Sequence, residues 1–189
     1  YNNFDELQSI VNNKNIGVIK MEVTRNFGPE DNFLQKVRDL ATQKKIVLIF
    51  DECSSGFRVT YGGVHKKYNV EPDMAMYGKT LGNGYAITSV VGKREVMEAA
   101  QRTFISSTFW TERIGPSAAL ASLDVMSKIK SWEIITQIGE KVQKGWGELA
   151  KNNNLNISVF GLPPITSYKF NYSHSMEYKT FITQEMLKK

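Results

Sequence analysis

Apolar and polar positions change period several times along the chain, and each change predicts an element. Ile46-Val47-Leu48-Ile49-Phe50 is continuously apolar and rich in branched side chains, the pattern of a strand buried on both faces of a parallel sheet. Ahead of it Phe33, Leu34, Val37, Leu40 and Ala41 recur at helical spacing. Asp31 or Asn32 is available to cap the free N–H groups of that helix, and Lys44-Lys45 suit its C-terminal dipole. Ile16 to Met21 predicts a short strand before the helix, so strand, helix and strand form a βαβ unit. Beyond Asp51-Glu52 the chain is Gly- and Ser-rich to about Asn69. Asp73 to Tyr77 then predicts another strand, Gly82-Asn83-Gly84 a turn, and Thr88 to Val91 a further strand.

Helical periodicity returns from Lys93 to Gln101, with Val96, Met97 and Ala100 inward. It is clearer from Pro116 to about Lys130, where Pro116 sits in the first turn and Ala118, Ala119, Leu120, Leu123, Val125 and Met126 supply the apolar positions. A further helix from Trp132 to about Lys151 carries Ile135, Ile138, Val142, Trp146 and Leu149 on one side. Ile157 to Phe160 and Thr166 to Phe170 predict strands around Gly161-Leu162-Pro163-Pro164, and Tyr178 to Leu187 starts a helix that stops at Lys189. An α/β segment thus gives way near residue 130 to a smaller α+β piece.

Composition narrows the function classes. Hydrophobic residues make up 41% and charged residues 23% of 189, which excludes a disordered or low-complexity chain. No uncharged apolar run approaches the roughly 20 residues of a membrane span. The start, Tyr1-Asn2-Asn3-Phe4-Asp5, lacks the basic-then-apolar build of a signal peptide. Cys53 is the lone cysteine, so an internal disulfide and a multi-cysteine zinc site are excluded and a reducing, cytoplasmic setting is expected. Lys and Arg number 24 against 19 Asp and Glu, a net +5, but the cations are scattered, with Lys44-Lys45, Lys66-Lys67 and Lys188-Lys189 the largest clusters. A phosphate-facing stripe is absent, and nucleic acid is not an expected partner. His65 and His174 lack clustered Cys or acidic neighbours in the sequence and read as structural, so no metal site is expected. Cys53, with no histidine near it in sequence, reads as a small buried residue.

Candidate chemistry lies at strand ends. In open α/β sheets ligands collect outside the carboxyl ends of the strands, where loops and helix N-termini converge. Asp51 directly follows the buried strand and, partly desolvated there, needs a cation or hydrogen-bond donors to stay ionised. Lys79 follows the next strand by two residues, where a lysine can serve as a nucleophilic amine. An acid and an amine so placed suit pyridoxal 5′-phosphate, which needs a lysine for its aldehyde and a carboxylate for its ring nitrogen. Position alone favours the plainer reading, in which Asp51 caps a loop or pairs with an arginine and Lys79 is a surface lysine.

The neighbouring residues separate these readings. Leu48-Ile49-Phe50-Asp51-Glu52, Gly56-Phe57-Arg58, Pro72-Asp73 and Gly78-Lys79-Thr80-Leu81-Gly82-Asn83-Gly84 come in order. Together they resemble the class III aminotransferases of the fold type I pyridoxal-phosphate enzymes, and in particular the branch that includes glutamate-1-semialdehyde aminomutase. The resemblance runs from the strand ending at Glu22 to Gly161-Leu162-Pro163-Pro164. It implies an α/β large domain with a mostly parallel sheet, of which residues 1–130 are the C-terminal part with its linking helix, and a small α+β domain beginning at 131–189. It implies Asp51 as partner of the cofactor ring nitrogen and Lys79 as the Schiff-base lysine and catalytic group. Thr108, in Ser106-Ser107-Thr108-Phe109-Trp110, is implied to meet the cofactor phosphate of a neighbouring subunit in a homodimer. The implied substrates are a small amino donor and a carbonyl acceptor.

Three departures qualify the resemblance. Glu22 matches a Glu-Pro turn near the family's active site, but Val23 stands where proline is usual. Thr111-Glu112-Arg113-Ile114-Gly115-Pro116 replaces a Gly-Asn-Pro segment, which favours amino transfer between two molecules over the intramolecular aminomutase reaction. Arg113 there suits either a substrate carboxylate or an interface ion pair. Finally, the family's N-terminal half, with its phosphate loop and ring-stacking aromatic, has no counterpart before Ile16. The chain therefore reads as a fragment cut at both ends, expected to turn over poorly alone. A catalytically inactive remnant is the competing reading.

Overall fold

The computed structural model describes residues 1–24, 26–109 and 111–188. Trp110, from the Ser106 to Trp110 motif, and Lys189, the end of the C-terminal lysine pair, lie outside the described residues. A helix the sequence patterning did not anticipate, α1 (Phe4–Asn13), comes first, with the Asn3 side chain accepting from the Glu6 N–H as its cap. Then follow β1 (Val18–Glu22), α2 (Phe33–Gln43), β2 (Val47–Asp51), β3 (Met74–Tyr77) and β4 (Ser89–Gly92). These four strands form one sheet in chain order, β1, β2 and β3 parallel and β4 antiparallel to β3. The mostly parallel α/β sheet expected of the sequence is present.

Its core lies on one side. Leu34, Val37, Leu40 and Ala41 of α2 are buried with Ile19, Leu48 and Phe50 of the sheet, and Leu48 and Phe50 are wholly excluded from solvent. The other face corrects the expectation of two-sided burial. Val47 and Ile49 are only half-buried, and the register aligns Lys20, Ile49 and Met74 with one another and Glu22, Asp51 and Met76 with one another. On that face Lys20 is exposed, as are Val18 (52%) and Val90 (44%), so the apolar run of β2 exceeds what the chain itself covers. The cap of α2 also differs. Asn32 is in the left-handed conformation with no side-chain hydrogen bond to the helix, so the carboxamide does not play the capping role the sequence offered.

Past β4, the single helix read from Lys93 to Gln101 is a short α3 (Arg94–Met97) followed by a 3-10 turn, with Val96, Met97 and Ala100 only half-buried. Helices α4 (Ile114–Ile129) and α5 (Ser131–Asn152) meet at Lys130, whose left-handed backbone turns one into the other. Ala119 and Met126 of α4 close a second core with Phe57 and Leu81. Leu120 and Val125 of α4 and Ile138 and Leu149 of α5 remain exposed, so much of the apolar pattern of both helices faces outward. The antiparallel pair β5 (Ile157–Phe160) and β6 (Ser167–Phe170) packs against α5, and α6 (Ser175–Met186) closes the chain against β6.

Candidate active site at the strand ends

The carboxyl ends of the three parallel strands bring Glu22, Asp51 and, one residue past Gly78, Lys79 to the same edge of the sheet. Asp51 is partly buried there and satisfied from two sides. Its Oδ2 accepts from Lys20 Nζ at 2.7 Å, and its Oδ1 accepts from the Cys53 backbone N–H at 3.1 Å. The Lys20 hydrogen bond outweighs desolvation and holds the carboxyl below the usual aspartate range, so Asp51 is an anion. Lys20 is not among the candidates that motif and strand-end position single out; its signal is strand alternation, which puts it on the same face as Asp51 two register positions back.

Lys79 opens a 3-10 turn over Lys79–Leu81. Its own φ is +44°, a left-handed conformation that costs a side-chain-bearing residue roughly 1 kcal/mol. Its carbonyl accepts from the Gly82 and Asn83 N–H groups at 3.2 and 3.0 Å. Its Nζ donates to Ser54 Oγ. Residues 53 and 54 therefore span the gap between acid and amine: Cys53 hydrogen-bonds Asp51, and Ser54 receives Lys79. The Cys53 thiol is half-buried rather than buried, and desolvation followed by the Asp51 carboxylate pushes its pKa up despite the nearby Lys79 and Lys20 charges. It is thus a poor nucleophile.

The loop after Asp51 is held by a buried acid. Glu52 is wholly buried, and its carboxylate accepts from Ser55 Oγ, from the His65 backbone N–H at 3.1 Å and from His65 Nδ1 at 3.0 Å. Burial favours the neutral acid, but the hydrogen bonds from His65, Ser55 and the backbone N–H groups of His65 and Val64 win and lower its pKa. His65 thus has a structural place. An acid directly after an apolar strand with a histidine 13 positions on carries no recognisable spacing, so this network was not visible in the sequence. Gly56 lies inside it, since a Cβ there would come within 2.7 Å of the Glu52 carbonyl oxygen and 2.8 Å of the Tyr77 ring. Asp73 ties the frame together, its Oδ2 accepting from Leu48 N–H at 2.8 Å and Arg38 at 2.9 Å and its Oδ1 from Lys93 at 2.8 Å. The Pro72-Asp73 step is therefore structural.

On the other side of Lys79 is a cavity of about 750 Å³, lined by the Gly-Phe-Arg loop, the Lys79 to Gly84 turn and the facing surfaces of α4 and α5. The hydroxyl of Thr80, one of its lining residues, is buried with no hydrogen-bond partner. The remaining candidates stand apart from this cavity. Glu22 lines a separate depression with Tyr1, Asn26 and Phe27. Thr108 lies in the exposed segment before α4, and Arg113 is exposed at the α4 N-cap, its carbonyl accepting from Ser117 N–H at 2.9 Å. Among the described residues neither shares a hydrogen bond or cavity wall with Asp51 or Lys79. His174 is exposed, 3.0 Å from Glu177. Among the described residues no group of three or more His, Cys, Asp or Glu is arranged to hold a metal, and no helix is long and apolar enough to cross a membrane.

Comparison with known proteins adds an independent line. Residues 25–186 match the family described as Aminotransferase class-III. The 3-aminobutyryl-CoA aminotransferase of Cloacimonas acidaminovorans is 32% identical over 97% of this chain and 47% of its own length. A glutamate-1-semialdehyde 2,1-aminomutase of Nitrosopumilus maritimus is 40% identical over 69% of this chain and 33% of its own. Among solved structures, the FumI protein of Sphingopyxis sp. MTA144, in a PLP internal aldimine form, superposes with a TM-score of 0.85 at 21% identity, over 90% of this chain and 43% of that one. Ornithine aminotransferase from Plasmodium yoelii superposes with a TM-score of 0.79 at 24% identity, over 90% of this chain and 47% of that one. The chain spans about half the length of the relatives it matches.

Proposed function

The chain belongs to the class III aminotransferases, and on that premise we propose that Asp51 and Lys79 are the cofactor pair of a pyridoxal-phosphate-dependent enzyme. It moves an amino group from a small amino compound to a carbonyl acceptor. The observation that carries this reading is the shared strand edge on which the Asp51 anion and the Lys79 amine are joined through Cys53 and Ser54. The residues fit the group. A carboxylate has about four acceptor sites, and Asp51 uses one each for Lys20 and Cys53, leaving room for a ring N–H.

When bound, pyridoxal 5′-phosphate supplies an aldehyde for an amine and a ring that withdraws electrons from the carbon beside it. Asp51, ionised and anchored by the Cys53 N–H, would hold a proton on the ring nitrogen. Lys79 Nζ would provide the amine for the aldehyde and, as a free amine, would carry a proton between carbon atoms; Ser54 Oγ is the acceptor that orients it. The Glu52–His65–Ser55 network keeps the intervening loop rigid, so that both groups keep their separation.

Thr108 is assigned to the cofactor phosphate of a second subunit. Its segment is exposed together with Phe104 (95%) and Phe109 (71%), as a homodimer interface requires. Glu22 and Arg113 are assigned to the active-site border. Residues 1–130 are read as part of the large cofactor domain and 131–189 as the start of the small one, divided at Lys130. A lone cysteine accords with a cytoplasmic setting. Intermolecular transfer is favoured by the Thr111 to Pro116 segment that replaces Gly-Asn-Pro, and the Cloacimonas aminotransferase is similar over 97% of this chain. The intramolecular aminomutase reaction is the second reading, supported by the Nitrosopumilus relative at 40% identity. The test is spectroscopic, on the protein expressed from its complete reading frame. Addition of pyridoxal 5′-phosphate is expected to raise a visible absorbance band that borohydride removes and Lys79→Ala abolishes. An unchanged band in Lys79→Ala contradicts the assignment.

A further inference from the structure

The Gly-Phe-Arg loop delivers a further cation, Arg58, beside Lys79. Phe57 is buried in the second core against Leu81 and Met126, and this anchors Arg58 on the wall of the cavity that Lys79 also lines. The half-buried guanidinium donates its Nε to the Ser54 carbonyl oxygen at 2.6 Å. Among the described residues no carboxylate pairs with it, and its two terminal nitrogens have no partner. Ser54 thus holds both cations, Arg58 through its carbonyl and Lys79 through its hydroxyl.

The rest of the cavity is consistent in charge and shape. Among the described residues Arg58 and Lys79 are its ionisable lining groups, and no acidic side chain lines it. Desolvation lowers the Arg58 pKa, the cost of a half-buried cation with no counter-charge. Val125, Met126, Ile129 and Ile135 supply an apolar wall, while the unpartnered Thr80 hydroxyl supplies a donor. A planar guanidinium with free terminal nitrogens accepts a carboxylate in a two-bond fork.

We propose that Arg58 is the binding residue for a substrate carboxylate, and that the cavity takes a short aliphatic acid whose carboxylate meets Arg58 while its chain lies on the α4–α5 wall. The identification of that acid as an amino donor or acceptor rests on the assignment of Lys79; the carboxylate site itself does not.

Titration calorimetry with butanoate, butanamide and inorganic phosphate, on the protein from its complete reading frame, separates the possibilities. Butanoate is expected to bind, and Arg58→Met to weaken it by about tenfold to a hundredfold, the range of a charge-assisted pair. Arg58→Lys keeps the charge without the fork and should give an intermediate loss; Thr80→Val should weaken binding several-fold. Butanamide should not bind. Circular dichroism checks that Arg58→Met folds, and where it does not, Arg58→Lys decides. Equal butanoate binding in wild type and folded Arg58 variants, no butanoate binding in wild type, or Arg58-dependent binding of phosphate alone overturns the proposal. The visible band with pyridoxal 5′-phosphate, recorded on the same samples, reports on Lys79 separately. Arg58-dependent butanoate binding without the band leaves the carboxylate site standing and removes the Lys79 assignment; the band without butanoate binding does the reverse.

Discussion

Glu52 and Asp73 bear the same kind of load at different places, each a buried carboxylate whose oxygens are taken up by donors from separate segments. In both, burial pulls the pKa up and hydrogen bonds pull it down further, so the folded acid stays ionised below the ordinary range. The unfolded chain therefore takes up protons before the folded one as acid is added. Their stabilisation is fully present above the ordinary carboxylate pKa of about 4 and is lost as pH falls through the lowered folded values. Urea unfolding across pH 7 to pH 3 should record this as a steep loss of stability. Glu52→Gln is expected to cost roughly 1–3 kcal/mol at pH 7 and to lose less on going to pH 3 than wild type does. An unchanged acid slope in Glu52→Gln would show that this carboxylate does not control the transition. The single signal for Glu52 in the sequence was its place beside Asp51, whereas Asp51 and Lys79 stood out because strand ends are where an open sheet collects chemistry.

Among the helices, α5 shows how packing reverses a local preference. A glycine inside a helix normally costs about 1 kcal/mol against alanine. At Gly147 nothing lies within 4 Å of where a Cβ would stand, so Gly147→Ala should raise stability by about that amount. At Gly139 the same atom would stand 2.0 Å from the Pro163 carbonyl oxygen, in the turn between β5 and β6. Gly139→Ala should push α5 off that turn and lower stability by roughly 1–3 kcal/mol. Thermal melts of the two variants should move in opposite directions, and a rise in both contradicts the packing described. The strands and the long helices were legible because their periods are distinct. The facing of α4 and α5 was not, since both carry apolar residues that the chain does not cover, as at Leu120 and Leu149. Periodicity marks an apolar stripe and cannot say what lies against it. Helix α1 went unread because its buried anchor is a single residue, Val11.

Across the whole molecule, the one-sided burial of the sheet and the clustering of chemistry at its carboxyl edge are two aspects of one arrangement. Parallel strands need cover on both faces, and this chain supplies it on the side of Leu48 and Phe50 while Lys20, Asp51 and Met76 line the other. The continuous apolar run of β2 correctly marked a strand of a parallel sheet, but its neighbours on the far face cannot be read from it. The order of Asp51, the Gly-Phe-Arg loop and Lys79 carried the family resemblance, while the Ser54 bridge and the cavity emerge only once the loop is folded. Two lysines now compete for the central role, because Lys20 touches Asp51 and Lys79 does not. Borohydride reduction of the protein after incubation with pyridoxal 5′-phosphate, followed by peptide mass mapping, separates them directly. The pyridoxyl mass is expected on the peptide containing Lys79 and on no other; its appearance on Lys20, or on no lysine of this chain, contradicts the account.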